Sequence, residues 1–256
     1  MSALHDRVYI ITGGSQGFGL AMAERLVAAG ARVGLIARRE DRLQQAVSAL
    51  GADSAFGVQA DIRDSSDIRQ AFATIKAHFG RLDGLINNAG IARAGTIEET
   101  PEDELRMQID INVIGLVLCC QAAIPLLRGG DNPRIINIGS ASANYREEMR
   151  HLGVYAASKM AVDRLTAELR DELKDDGIGV TLVIPGAAMT EFSVGWDQDR
   201  FTKALQAWSK HGDTMDQGME PSDVAEAVVH CLAYKAGVAI DTLTVRPNKP
   251  VPKIKL

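Results

Sequence analysis

The sequence predicts a single α/β domain whose parallel sheet is covered by helices on both faces. Short runs rich in β-branched residues alternate with longer amphipathic stretches from the first residues to about 185, as successive strand–helix–strand units require. Most of the short runs are apolar on both faces, which a sheet buried on both sides demands. No repeat, low-complexity segment or linker divides the 256 residues, a length ordinary for one α/β unit and sufficient for a full core.

The first strand is expected in RVYIIT (7–12), and TGGSQGFG (12–19) leads from it into a helix over 18–29 closed by Gly30. RVGLIA (32–37) is the second strand; ARRE then opens a helix over 39–50, closed by Gly51. AFGVQA (55–60) is followed by ADIRD and a helix over 65–79 that ends at Gly80. LDGLIN (82–87) precedes NNAG (87–90) and a helix over 102–127; RIINIG (134–139) precedes a helix over 154–174 and the strand GVTLVI (179–184). After Pro185 the alternation stops. Residues 187–220 form a long polar stretch with one helical patch near 199–210, and a loop of that length in a compact domain is usually functional or disordered. A helix over 221–234 and a last strand near VAIDTLTV (238–245) complete the chain.

A formal charge of −5, with no long basic run beyond Arg38 and Arg39 and a loose tail of Lys249, Lys253 and Lys255, argues against a nucleic-acid partner. Cys119, Cys120 and Cys231 cannot all pair, and the adjacent two are poorly placed to bridge each other or chelate. No metal site is expected, and a reducing cytoplasm is the expected location. MSALHDRVYIITGG carries no visible export signal. The longest apolar stretch, 114–127, is too short to span a bilayer and contains Gln121 and Pro125, so no membrane partner is expected.

Two local patterns carry chemistry. TGGSQGFG lies between a strand and a helix, where glycines let backbone approach a phosphate held at the helix N-terminus. The same residues, as GGSQG, match a nucleophile elbow with Ser15 as nucleophile, although elbows normally follow several strands. A phosphate-binding loop of the Gly-Lys type is excluded, because no Gly-Lys pair occurs in the chain. In VYAASK (154–159), Tyr155 precedes Lys159 by one helical turn, on one face. Neither Tyr9, Tyr145 nor Tyr234 has a lysine at that spacing.

TGGSQGFG, NNAG, VYAASK and PGAAMT (185–190), in this order and at these distances, resemble the classical branch of the short-chain dehydrogenase/reductase family over nearly the whole chain. The extended branch, which includes epimerases, would carry glycine where Gln16 stands. The resemblance implies a doubly wound Rossmann-type domain over 1–256, a seven-stranded sheet in the order 3-2-1-4-5-6-7, and a substrate lid at about 187–220. Gly13, Ser15, Gln16, Gly17, Phe18 and Gly19 are then expected at the cofactor, with Asp61 on the adenine amine and Ile62 beside the ring. Asn88, Ala89 and Gly90 line the ribose, while Asn87 ties neighbouring strands together. Pro185, Gly186, Ala188 and Thr190 belong to the nicotinamide end, Thr190 at the carboxamide. Where an NAD enzyme places an acid after the second strand, this chain has Ala37, followed by Arg38 and Arg39 suited to a 2′-phosphate, so NADP(H) is expected.

The resemblance assigns proton transfer to Tyr155. A free phenol at about 10 is too weak an acid at neutral pH, and the Lys159 ammonium is expected to lower it. Lys159 also holds the nicotinamide ribose, Ser140 polarises the substrate oxygen, and Asn112 in DINVIG supports a water relay to the lysine. From Ser140 to Tyr155 is fifteen residues where many relatives have thirteen, a count that Ser142 would satisfy; Ser140 is preferred because INIGS places it at the strand end. Around the pocket, Phe192, Trp196, Phe201, Trp208, Met215 and Met219 form either an apolar lid or the packing of a peripheral helix. In NYREEMRH (144–151), Arg146 or Arg150 is a candidate for a substrate anion. TLTVRPNKP (242–250) lacks the usual glycine pair, as in some relatives acting on hydroxy acids.

The expected function is an NADP(H)-dependent carbonyl reductase or secondary alcohol dehydrogenase with a small carbonyl or alcohol as substrate. The alternatives are a 3-hydroxy acid dehydrogenase and a non-catalytic NADP-binding regulatory protein. A homo-oligomer, tetramer or dimer, is expected through the helices at 102–127 and 154–174.

Overall fold

The computed structural model of the chain describes residues 3–144, 150–188, 190–211 and 218–248. Seven parallel strands lie in the order β3-β2-β1-β4-β5-β6-β7. They are β1 (Val8–Thr12), β2 (Arg32–Ala37), β3 (Ala55–Gln59), β4 (Gly84–Asn87), β5 (Arg134–Ile138), β6 (Gly179–Pro185) and β7 (Thr242–Val245). The helices are α1 (Gly17–Ala28), α2 (Glu40–Leu50), α3 (Ser65–Phe79), α4 (Glu102–Ile109), α5 (Gly115–Leu127), α6 (Ala141–Asn144), α7 (Gly153–Glu172), α8 (Gln198–His211) and α9 (Pro221–Leu232). The order reverses between β1 and β4, and in open α/β sheets the crevice beyond the strands' carboxyl ends at that point is where ligands bind.

Alternation along β1 shows how the layers are built. Val8 and Ile10 pack on one face among residues of α3, α5 and α7, such as Phe72, Cys119 and Val162. Tyr9 and Ile11 pack on the other among α1, α2 and α9, such as Met22, Leu43 and Val228. With successive side chains on opposite faces, one apolar run serves two cores. A third, smaller cluster joins Ala92, Ala94, Leu152 and Tyr155 to Trp196, Ala204 and Trp208 of the α8 region.

Most expected elements are present within one or two residues. The last strand starts at Thr242 rather than near 238, because pairing with β6 runs only from Leu182 opposite Thr242 to Pro185 opposite Val245. The helix expected over 102–127 is interrupted by a π-helical turn at Asp110–Ile114. By length and composition this helix, Glu102–Leu127, is the one among the described residues that suits a bilayer crossing, so the apolar run at 114–127 is not an isolated short segment. Cys119, Cys120, Ala123 and Leu127 on its inner side are packed into the sheet core.

Candidate active site

The loops beyond the carboxyl ends of β1 to β6 line a cleft of about 640 Å³. At one end is the glycine turn. Gly13 and Gly17 have φ of +65° and +52°, in the region that favours glycine. A Cβ on Gly19 would lie 2.3 Å from the Gly13 carbonyl oxygen, so only glycine lets α1 close onto the turn. Gly13, Ser15, Gln16, Gly17 and Phe18 line the cleft; Gly19 stands behind the turn. Asn88 donates its amide to the carbonyls of Thr12 (2.9 Å) and Gly13 (3.3 Å). The Thr12 hydroxyl accepts from the backbone of Asn88 and Ala89. Thr12, given no role from the sequence, is thus the latch between β1 and NNAG. Asn88, expected at the ribose, lines the cleft with its amide nitrogen on the turn.

The start of α1 is bare. Its N-cap, Gln16, makes no side-chain cap and no acid stands in the first turn. By contrast, Asp64 caps α3 through the amides of Ser66 and Asp67, and Glu220 with Asp223 forms a capping box on α9. An uncapped helix N-terminus opening on a cleft leaves amides and a positive dipole end for an anion. Nearby, Arg38 and Arg39 line the cleft after Ala37. Arg39 donates to the Gln16 side-chain oxygen, and Arg42, unassigned from the sequence, donates to the same oxygen at 2.7 Å. Asp61 and Ile62 also line the cleft. Arg63 holds the Asp61 carboxylate with nitrogen–oxygen distances of 2.5 and 3.0 Å, and that hydrogen bonding keeps the acid below its ordinary range. These residues fit a dinucleotide, with a bare helix end for pyrophosphate.

At the opposite end stand Ser140, Tyr155 and Lys159, all on the cleft wall. Ser140 follows β5 and hydrogen-bonds to Ser142, which is buried behind it at 2.9 Å between hydroxyls. α7 carries Tyr155 and Lys159 on its inner face. The Lys159 ammonium donates to the Ile138 carbonyl at 2.8 Å, and burial lowers its pKa to about 8. The expectation that this ammonium lowers the Tyr155 pKa is corrected here. Burial dominates and pushes the phenol up to about 12, while the Ser140 hydrogen bond pulls it partly back.

Asn112 sits in the π-helical turn, off the cleft surface. Its side chain accepts from the Ile91 amide and donates to the Ile91 carbonyl, both at 2.8 Å, and it reaches the Ser158 hydroxyl at 2.9 Å. It meets Lys159 around Gly90, where an added Cβ would lie 3.3 Å from both the Asn112 oxygen and Lys159 Nζ. Asn87 bonds to Asn137 across β4 and β5 at 2.9 Å.

The side expected to form a lid carries an aromatic chain. Tyr155 meets the edge of Phe192, which meets Trp196, which meets Phe201 and Trp208, with ring centroids 5.2 to 6.4 Å apart. Phe192 and Val194 reach the cleft with Pro185, Gly186, Ala187, Ala188 and Thr190. Trp196 and Trp208 are buried behind them, so they pack α8 rather than face the cofactor cleft. Met219 joins the core under α9 and donates its amide to the Ala187 carbonyl at 2.9 Å. Trp208 donates to the Arg150 carbonyl at 2.6 Å. Tyr145, Arg146, Met215, Lys249, Lys253 and Lys255 lie outside the described residues. Ile91 and Arg93 complete the wall, and the sequence pattern assigned neither. Among the described residues no group of three or more His, Cys, Asp or Glu is placed to hold a metal.

Comparison with known proteins gives a consistent picture. The model of the short chain dehydrogenase family matches residues 7–200. An uncharacterized oxidoreductase of Staphylococcus aureus (strain USA300) is 31% identical over 247 residues, covering 96% of this chain and 100% of that protein. The closed form of a serine dehydrogenase complexed with NADP+ is similar with a TM-score of 0.80 and 30% identity, over 93% of this chain and 94% of that one. A 3-ketoacyl-(acyl-carrier-protein) reductase from Brucella melitensis, complexed with NADH, is similar with a TM-score of 0.82 and 28% identity, over 94% and 97%.

Proposed function

The chain belongs to the short-chain dehydrogenase family of NAD(P)-dependent oxidoreductases, and on that premise we propose that it is an NADP(H)-dependent carbonyl reductase interconverting a small ketone and a secondary alcohol. The observation that carries this reading is the presence of Ser140, Tyr155 and Lys159 on the wall of the same cleft as the bare start of α1. NADP(H) is favoured over NAD(H) because no carboxylate stands at the end of β2 or in the two positions after it, where Ala37, Arg38 and Arg39 stand instead.

When bound, the nicotinamide supplies hydride to the carbonyl carbon in reduction or accepts it in oxidation. Everything else falls to the chain. Tyr155 holds the proton that the carbonyl oxygen takes up, and burial keeps that phenol protonated across the neutral range, the competent form for reduction. Ser140, bonded to the same hydroxyl, orients the substrate oxygen toward it. Lys159 holds a positive charge one turn away, anchored on Ile138. Asn112 fixes the Ile91 loop and Ser158, keeping the floor of the site in register.

The test is loss of NADPH absorbance with a panel of ketones, aldehydes and keto acids. Turnover of at least one class, with kcat/KM at least about tenfold higher for NADPH than for NADH, is the expected result. Binding of NADPH with no turnover on any class would replace this reading with the regulatory one. We also propose a cytoplasmic dimer or tetramer built on the long helices, supported by Leu105, Ile114 and Met160, which are 41 to 45% exposed on them. A monomer in light scattering would overturn that assembly.

A further inference from the structure

Arg93 borders the cleft at its chemical end and has no part in the roles given above. Its backbone is fixed from several sides. Asn112 clamps Ile91 through both of its backbone groups at 2.8 Å, and the buried Gln108 accepts from the Arg93 amide at 3.1 Å. Ala92 and Ala94 on either side are buried in the cluster that contains Tyr155. This loop presents Arg93 to the cleft beside Ile91, with the guanidinium next to Gly195: a Cβ built there would lie 3.5 Å from Nη2.

Its charge is incompletely matched. Nη1 donates to the Ala92 carbonyl at 2.7 Å. The carboxylate nearest to it, Glu104, is 4.0 Å from Nε and is engaged by Arg200 through two bonds of 2.6 and 2.9 Å. Two guanidiniums thus share one carboxylate, while their side chains are only 17% and 14% exposed. Arg200 has further help from Asp197 at 3.6 Å, on the solvent side. A cation held largely from water and short of a counter-charge favours an arriving anion, and a guanidinium fork matches a planar carboxylate. Phe192, whose ring meets Tyr155, and Val194 line the same cleft and supply apolar wall for a short carbon skeleton.

We propose that Arg93 binds the carboxylate of the substrate, so that the carbonyl substrates are short keto acids and the alcohols are the corresponding hydroxy acids. The assignment rests on the reductase reading of the same cleft and names its substrate class. In the reaction, C=O becomes CH–OH as carbon gains a hydride and oxygen a proton, the nicotinamide cofactor is oxidised, and the carboxylate is unchanged. The carboxylate is the handle that orients the carbonyl, not a reacting group.

The experiment measures kcat/KM with NADPH for pyruvate, 2-ketobutyrate and acetoacetate, each against its methyl ester, in the wild type, Arg93→Gln and Arg93→Lys. For at least one pair the wild type is expected to prefer the acid by about tenfold or more. Arg93→Gln is expected to cut the acid's kcat/KM by about a hundredfold, chiefly through KM, and collapse the acid-to-ester ratio. Arg93→Lys, which keeps the charge without the fork, is expected to retain part of that ratio, showing that charge at this point rather than folding is what was lost. An ester reduced as well as its acid by the wild type, or a ratio unmoved by Arg93→Gln, overturns the assignment and leaves the reductase reading standing. No turnover of either form by the wild type, with ketones and aldehydes also inert, overturns the reductase reading and this assignment with it.

Discussion

At one end of the cleft the contacts come from backbone and from exposed arginines: the glycine turn, the uncapped start of α1, and Arg38 with Arg39 on the surface. At the other end Asn112, Lys159 and Tyr155 are buried, at 1, 5 and 7% exposure, and two of them have strongly displaced proton affinities. The difference follows from what each end has to do. Recognition of a phosphate needs charge and amides that water also reaches, so the partner can come and go and salt modulates it. Proton transfer needs groups fixed in position and shielded from solvent, which burial provides at the expense of shifting both pKa values. Removing a group from the buried end is therefore expected to change rate, and from the exposed end to change cofactor affinity and choice.

The largest expected effect comes from the buried end. Tyr155→Phe removes only the hydroxyl and keeps the ring that meets Phe192. It is expected to lower kcat by about a thousandfold while NADPH affinity, read from tryptophan fluorescence, stays within about threefold. A fall below tenfold would mean that the proton comes from elsewhere. At the exposed end, Ala37→Asp places a carboxylate beside Arg38 and Arg39. The preference for NADPH over NADH, as the ratio of kcat/KM values, is expected to drop about a hundredfold with kcat little changed. An unaltered ratio would remove these arginines from cofactor selection.

Much of this was legible in the sequence, and the parts that were not share a cause. Arg32–Ala37 and Ser65–Phe79 agree with the sequence expectation to the residue, because apolar pattern and flanking signals coincide: Asp64 caps α3 and Gly80, at φ +77°, closes it. The π-helical turn left no mark, since the helical period runs straight through Asp110–Ile114 and the contacts that accompany it join Asn112 to Ile91 and Ser158, distant in sequence. Arg93 was invisible for the same reason: its significance depends on Glu104 being engaged by Arg200, a residue 96 positions farther on. The spacing of Tyr155 and Lys159 was readable, but the outcome of their burial was not, because a one-turn separation says nothing of how much water either group keeps. The pairing of Asp61 with Arg63 did have a local signal, two residues apart in ADIRD.

The smallest expected effect separates Lys159 from every other titrating group. Its pKa is about 8 in the folded chain against an ordinary 10.5. Reduction that depends on the ammonium is therefore expected to be level below pH 8 and to lose up to about tenfold per pH unit above it. The lysine's contribution to stability moves the opposite way in that window. Between the two pKa values the unfolded chain binds more protons at this lysine than the folded one, so unfolding free energy rises with pH, by at most about 1.4 kcal/mol per unit. The three buried thiols act against this within the same window: a free thiol titrates at about 9, while burial pushes Cys120 and Cys231 up to about 12 and 11 and raises Cys119 as well, so the folded chain keeps protons there that the unfolded chain releases, and Tyr155, at about 12, adds to this at higher pH. The lysine's contribution is thus read as the difference between the wild type and Lys159→Met, in which the thiols cancel. Urea unfolding of both proteins at pH 8 and pH 9 should show stability rising more, or falling less, with pH in the wild type, by about 1 kcal/mol over that unit, while reduction falls. Equal pH slopes of stability in the two proteins would instead mean that this lysine does not change its charge there, and the buried end of the cleft would no longer be set apart by its proton affinities.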